Sequence, residues 1–172
     1  MKRSDDSRLE EARAKFIHAW GEMGSKWGIN KPMAQIHALL LASETPLSTD
    51  DVMASLQISR GNANTNLRGL VDWGIVRRVF VPGERREFFQ SEKDVWTMFC
   101  RIARERKKRE LEPAIDSLAE CLDLLQSDKK AVYLKTRLGE LQELLKTGDA
   151  LLGHLAQQEK NIVLPRIIKL LA

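Results

Sequence analysis

The sequence predicts a mainly α fold in which a helix-turn-helix and a two-stranded β-hairpin sit between long N- and C-terminal helices. Three observations carry that prediction. Apolar residues recur at spacings of three and four over most of the 172 residues. The tight connection "QIS", Gln57 to Ser59, joins two short helical patterns. The β-branched run "IVRRVFV", the turn "PGE" and the run "RREFFQ" then read as a hairpin over residues 75–90. A helix-turn-helix backed by a hairpin is the plan of a winged helix.

The elements follow in order. Leu9, Ala12, Phe16, Trp20, Met23 and Trp27 put an aromatic stripe along one face of a long first helix, which suits core or dimer packing. Gly28 fits a left-handed cap at its end. Pro32 can open the second helix. "MAQIHALLLAS" is apolar over most of its circumference, so this helix is central and His37 is expected to be a hydrogen-bonded core residue. "TPL" reads as a loop. Ser48 caps a short helix, with Asp51 as its capping-box partner, and Ser59 caps the next one.

Beyond Glu92 the pattern is helical throughout. Leu111, Ile115, Leu118, Leu122 and Leu125 keep the spacing of a coiled-coil seam, and Pro113 should kink or divide that helix. Ser127 and Asp128 make a break. Leu134, Leu138, Leu141, Leu145, Leu152 and Leu155 form a second seam, and a last short helix is expected over Leu164 to Leu171. The expected organisation is an N-terminal helix contributing to dimerisation (1–30), a winged helix-turn-helix (31–92) and a helical dimerisation region (93–172).

Composition narrows the function. Hydrophobic residues at 43% and charged residues at 30% are ordinary for a soluble domain. The net charge is +4, and the excess is local: residues 59–90 hold six Arg against three acids, and residues 101–110 six basic residues against two acids. That balance suits a polyanionic partner. Cys100 and Cys121 lack metal-site spacing, which points to reduced thiols, no metal and an intracellular chain. No stretch is long and apolar enough to suggest a membrane span. His18, His37 and His154 are far apart, and no Ser/His/Asp set or glycine-rich phosphate loop is present, so neither catalysis nor a cofactor is expected.

One segment breaks the local rules. The helix after Ser59 contains Gly61, Asn62, Asn64, Thr65, Asn66 and Gly69, which together cost about 4–5 kcal/mol in helix propensity against alanine. On a helical wheel Ala63, Leu67, Leu70 and Val71 face inward. Gly61, Asn62, Thr65, Arg68 and Gly69 face outward, with Asn64 and Asn66 on the flanks. A small, polar, uncharged surface with one arginine two turns in suits the DNA major groove. Asn can pair with adenine and Arg can fork onto guanine, while Ser59 and Thr65 can donate to phosphates. Arg85 and Arg86 beside the Pro-Gly turn suit an adjacent minor groove.

These residues also carry a resemblance. "ISRGNANTNLRGLVDWGIVRRVFVPGERREFF" resembles the recognition helix and wing of the GbsR/MarR group of bacterial transcriptional regulators. "GEMGSKWGINKPMAQIHALLLAS" resembles their lead-in helices, and "LLKTGDALLGHLAQQEKNIVLPRIIKLL" their C-terminal helices. The resemblance implies a sequence-specific regulator of double-stranded DNA, expected to be a repressor. It implies a homodimer on a palindromic operator, in the bacterial cytoplasm and on the nucleoid when bound. By position it makes Ser59, Arg60, Asn62, Asn64, Thr65, Asn66, Arg68, Arg85 and Arg86 the DNA-facing candidates. Family members often carry serine where this chain has Asn64, which bears on the preferred base sequence. Some relatives sense small osmolyte-type effectors. A cage for such a cation needs several rings, and after Phe99 this chain offers only Tyr133, so no particular effector is implied. The alternative is a winged helix that binds protein and not DNA.

Overall fold

The computed structural model describes residues 2–159, with side chains from Ser7 onward. The chain forms two compact units that divide after Lys93.

In the first unit, α1 (Lys2–Lys26) packs along α2 (Lys31–Leu41). The two approach closely because Gly24 faces Ala34; a Cβ there would come within 2.6 Å of the Ala34 Cβ. The cap expected at Gly28 is formed. Its φ is 76°, the Ile29 N–H reaches Gly24 O at 2.8 Å, and the Gly28 N–H reaches Ser25 O at 3.1 Å. Helix α2 is the core element, with Ile36, Ala38 and Leu40 fully enclosed. His37 is 2% exposed, and its Nδ1 accepts a hydrogen bond from Trp20 Nε1 at 3.3 Å. Its Nε2 has no partner among the described residues, and burial pushes the imidazole pKa down to about 4.

Helix α3 (Thr49–Leu56) starts at the Ser48 capping box. The Ser48 N–H and hydroxyl donate to Asp51 Oδ2 at 2.8 and 2.7 Å, and the Asp51 N–H returns a bond to Ser48 Oγ at 3.2 Å. Helix α4 (Arg60–Asp72) buries Ala63, Leu67 and Leu70 as the wheel anticipates. The strands depart from expectation in number. Leu47, expected in a loop, and the capping residue Ser48 form β1, which pairs antiparallel with Phe88 and Phe89 of β3 (Phe88–Ser91). The sheet therefore has three strands in the order β1-β3-β2, with β2 spanning Val76–Val79. A two-residue strand has no periodicity to detect; only its pairing with residues some forty positions away defines it.

The second unit is helical: α5 (Val95–Arg106), a π-helical turn (Lys107–Leu111), α6 (Glu112–Leu124) and α7 (Val132–Gln157). Pro113 divides the helix as expected, and the π turn shows how. Proline has no N–H, and its ring crowds the carbonyl four residues back. The backbone widens ahead of it, so the Glu112 N–H bonds Lys107 O five residues away. Lys107 Nζ ties this turn to Glu112 at 2.6 Å and to Asp149 of α7 at 3.0 Å.

The first seam, Leu111, Ile115, Leu118, Leu122 and Leu125, is half-buried. The α7 seam, however, splits into two faces. Leu138, Leu145, Leu152 and Leu155 are half-buried, the first three on the side where Gln142 bonds Ile115 O, whereas Leu134 and Leu141 are exposed, as are Leu144 and Leu151, which the seam did not include. Both cysteines are free, Cys100 buried and Cys121 exposed. Among the described residues no helix is long and apolar enough to cross a membrane. The helix expected over Leu164 to Leu171 lies outside the described residues.

Candidate nucleic-acid interface

The turn between α3 and α4 fixes how α4 is presented. Gln57 adopts a left-handed conformation, φ 52°, which reverses the chain within three residues. Ser59 Oγ accepts the Asn62 N–H at 3.2 Å. That bond uses an oxygen lone pair and leaves the hydroxyl hydrogen of Ser59 free to donate outward.

Along α4, Ser59, Arg60, Thr65 and Arg68 are exposed, and Asn62 and Asn64 are half-buried at the edge of the same surface. Their electrostatic situations differ. Arg60 forms an ion pair with Asp50 at 2.5 Å. Arg68 has no acidic partner among the described residues. The Thr49 hydroxyl of α3 donates to Asn64 Oδ1 at 3.5 Å, so one edge of the surface is tied to the preceding helix.

Asn66 corrects the sequence reading. It was expected on a DNA-facing flank, yet it is 7% exposed, and its amide is spent on Asn62. Gly69, also expected to face outward, lies against α2; an added Cβ would meet Met33 Cε at 3.2 Å. The wheel assigns a flank only to within tens of degrees, and α2 covers more of α4 than its apolar residues alone demand.

The wing tip is a tight turn. The Glu84 N–H bonds Val81 O at 3.1 Å, Pro82 supplies the fixed φ, and Gly83 takes φ 84°. Arg85 is exposed and has no acidic partner among the described residues. Arg86 donates through Nε and Nη2 to Glu84 Oε2 at 3.1 and 3.0 Å and lies over the Phe88 ring at 5.4 Å. It also helps to lower the pKa of Asp51, which is held down mainly by the Ser48 hydroxyl and N–H. Exposed pairs such as Arg60–Asp50 and Arg86–Glu84 are worth about 1 kcal/mol or less, so either cation can be redirected to a phosphate at small cost. Phe80, read from the sequence as a strand residue, stands just before the turn and is 83% exposed.

The surface therefore offers two unmatched guanidinium groups, two redirectable ones, free hydroxyl and amide donors, and little bulk. That set suits hydrogen bonding to base edges and phosphates. Comparison with known proteins bears on what it serves. No protein-family model matches the chain. It is 24% identical over 132 residues to the HTH-type transcriptional repressor GbsR of Bacillus subtilis (strain 168), covering 77% of this chain and 71% of that protein. The chain is thus similar to a protein named as an HTH-type transcriptional repressor. It is also 28% identical over 112 residues to the HTH-type transcriptional regulator MmpR5 of Mycobacterium tuberculosis (strain ATCC 25618 / H37Rv). That alignment covers 62% of this chain and 61% of MmpR5, less than two thirds of the relative's length. In fold, the chain is similar to a crystal structure of a transcriptional regulator, with a TM-score of 0.67 at 18% identity over 87% of this chain and 98% of the other. The winged helix-turn-helix architecture read from the sequence is thus the fold that the chain shares with that structure.

Proposed function

We propose that this protein is a DNA-binding transcriptional repressor that acts as a homodimer on a palindromic operator. One observation carries the reading: the outward face of α4, where Thr65 and Arg68 project beside a Ser59-capped N-terminus and Arg68 has no acidic partner among the described residues. Leaving a cation unmatched on so polar a helix face gains nothing for the fold. Placed in a major groove it can fork onto guanine. Residues 31–92 then form the DNA-binding domain, and Ser59, Arg60, Asn62, Asn64, Thr65, Arg68, Arg85 and Arg86 are the residues that meet DNA.

The exposed face of α7 supports the dimer. Leu144 and Leu151 are 67% and 63% exposed and, with Leu141, repeat at three and seven residues, the spacing of a helix–helix seam. We assign residues 93–172 to dimerisation, with the 1–30 helix contributing. Two copies of α4 would read half-sites about one helical turn, roughly 34–36 Å, apart. A small-molecule effector acting on this scheme shifts operator affinity only by its differential affinity for the two spacings of those helices. Selection of bound sites from random double-stranded DNA tests the reading. Inverted half-sites one turn apart are expected. A pool that remains unenriched overturns it in favour of a protein-binding winged helix.

A further inference from the structure

We propose that Asn66, the buried asparagine of α4, dictates which bases Asn62 reads; the inference rests on the DNA-binding reading above. The geometry leaves little freedom. The side-chain amide of Asn66 lies 2.8 Å from the backbone carbonyl oxygen of Asn62 and 2.5 Å from the end of the Asn62 side chain. A backbone carbonyl only accepts, so the atom of Asn66 beside it is Nδ2. The second hydrogen of Nδ2 points at Asn62, where an acceptor must stand, because an amide nitrogen there would set donor against donor. That atom is Asn62 Oδ1. Turning the Asn66 amide over would set its oxygen against the Asn62 carbonyl oxygen and break both bonds, in a site only 7% exposed.

Asn62 is therefore held with Oδ1 turned back to the helix and Nδ2 outward. Its two N–H groups have no acceptor among the described residues. The familiar asparagine–adenine pair needs oxygen and nitrogen side by side, one for the adenine amino group and one for N7. With Oδ1 of Asn62 anchored on Asn66 through one lone pair, that side-by-side edge is turned from the base, and the Nδ2 donors lead, matching the adjacent N7 and O6 acceptors of guanine. The position facing Asn62 is thus assigned to guanine, and Asn66 is a positioning residue that touches no base.

The test is site selection from random DNA with the full chain and three variants. For the unchanged protein, guanine is expected at one position of each half-site, and Asn62→Ala identifies that position by abolishing its preference. Asn66→Asp cannot donate. Its carboxylate loses the bond to the Asn62 backbone carbonyl and faces that oxygen as an acceptor, but it accepts from Asn62 Nδ2, reverses the amide and turns Oδ1 outward, so the preference moves to the amino-bearing bases adenine and cytosine. Asn66→Leu releases the amide and allows the paired contact with adenine. The ratio of guanine to adenine at that position should fall on the order of tenfold in each Asn66 variant. Thermal melts establish that each variant is folded.

Folded Asn66 variants that keep the original base profile, or that weaken binding evenly at all positions, overturn the inference while DNA binding stands. So does adenine or cytosine at the position that Asn62→Ala erases, which decides the matter even if both Asn66 variants unfold. No enrichment with the unchanged protein is the failure of the DNA-binding reading itself.

Discussion

Replacing Arg68 with alanine separates recognition from folding. Arg68 is exposed on α4 and has no acidic partner among the described residues. Arginine and alanine have similar helix propensities, so the stability change should stay within about 0.5 kcal/mol. The melting temperature should therefore move by no more than a few degrees. Binding should respond quite differently. A guanidinium forked onto guanine contributes about 1–3 kcal/mol of discrimination, which corresponds to roughly a 5- to 150-fold loss of specific affinity. Affinity for unrelated DNA, set by phosphate charge, should change much less. The assay is titration of labelled selected operator and of a scrambled duplex at one fixed salt concentration, alongside a thermal melt. Unchanged operator affinity would mean that α4 does not lie in the groove as described. A large loss of stability would make Arg68 a structural residue and remove the argument from its lack of a partner.

Four further outcomes are expected. Arg85→Ala combined with Arg86→Ala should flatten the dependence of binding on salt by about 0.9 in logarithmic slope for each phosphate that is no longer neutralised, and an unchanged slope removes the wing from the DNA interface. Asp51→Ala strips the buried Ser48 N–H and hydroxyl of their acceptor and should cost about 1–2 kcal/mol in denaturant unfolding. His37 titrates at about 4 in the fold against an ordinary 6.5, so between those values the unfolded chain binds the extra proton and stability falls as pH is lowered, by roughly 3 kcal/mol in all. Urea melts at pH 7 and pH 4.5 should show that loss, and His37→Gln, which keeps an acceptor for Trp20 without titrating, should flatten it. Leu144→Glu with Leu151→Glu should convert a dimer to a monomer in sedimentation at micromolar concentration; a dimer that persists places the interface elsewhere.

The propensity cost of α4 has two origins, and only one of them was legible in the sequence. Thr65 and Arg68 face outward as the wheel assigns them. Gly61 also has open space around it: an added Cβ would meet nothing within 4 Å. Asn66 and Gly69 are different. They are small or amide-bearing because α2 and Asn62 crowd that side of the helix. A wheel carries the composition of one helix and nothing of the neighbour that covers it. For the same reason the leucines of α7 read as one seam and emerged as two faces.

What the sequence by itself determined was local. Ser48 with Asp51, Ser59, Gly28, Pro113 and the Pro82-Gly83 turn each act within five residues, through caps, fixed φ angles and missing N–H groups, and each acts where it was placed. The helix-turn-helix and the hairpin follow from such signals combined with apolar periodicity. What only the tertiary structure decided was pairwise and distant: Leu47 and Ser48 as a strand against Phe88 and Phe89, Arg60 held by Asp50, and Asn66 withdrawn from the surface to orient Asn62. These depend on which elements meet and at what angle, and that is set by the packing of the whole core, not by the residues on either side in the chain.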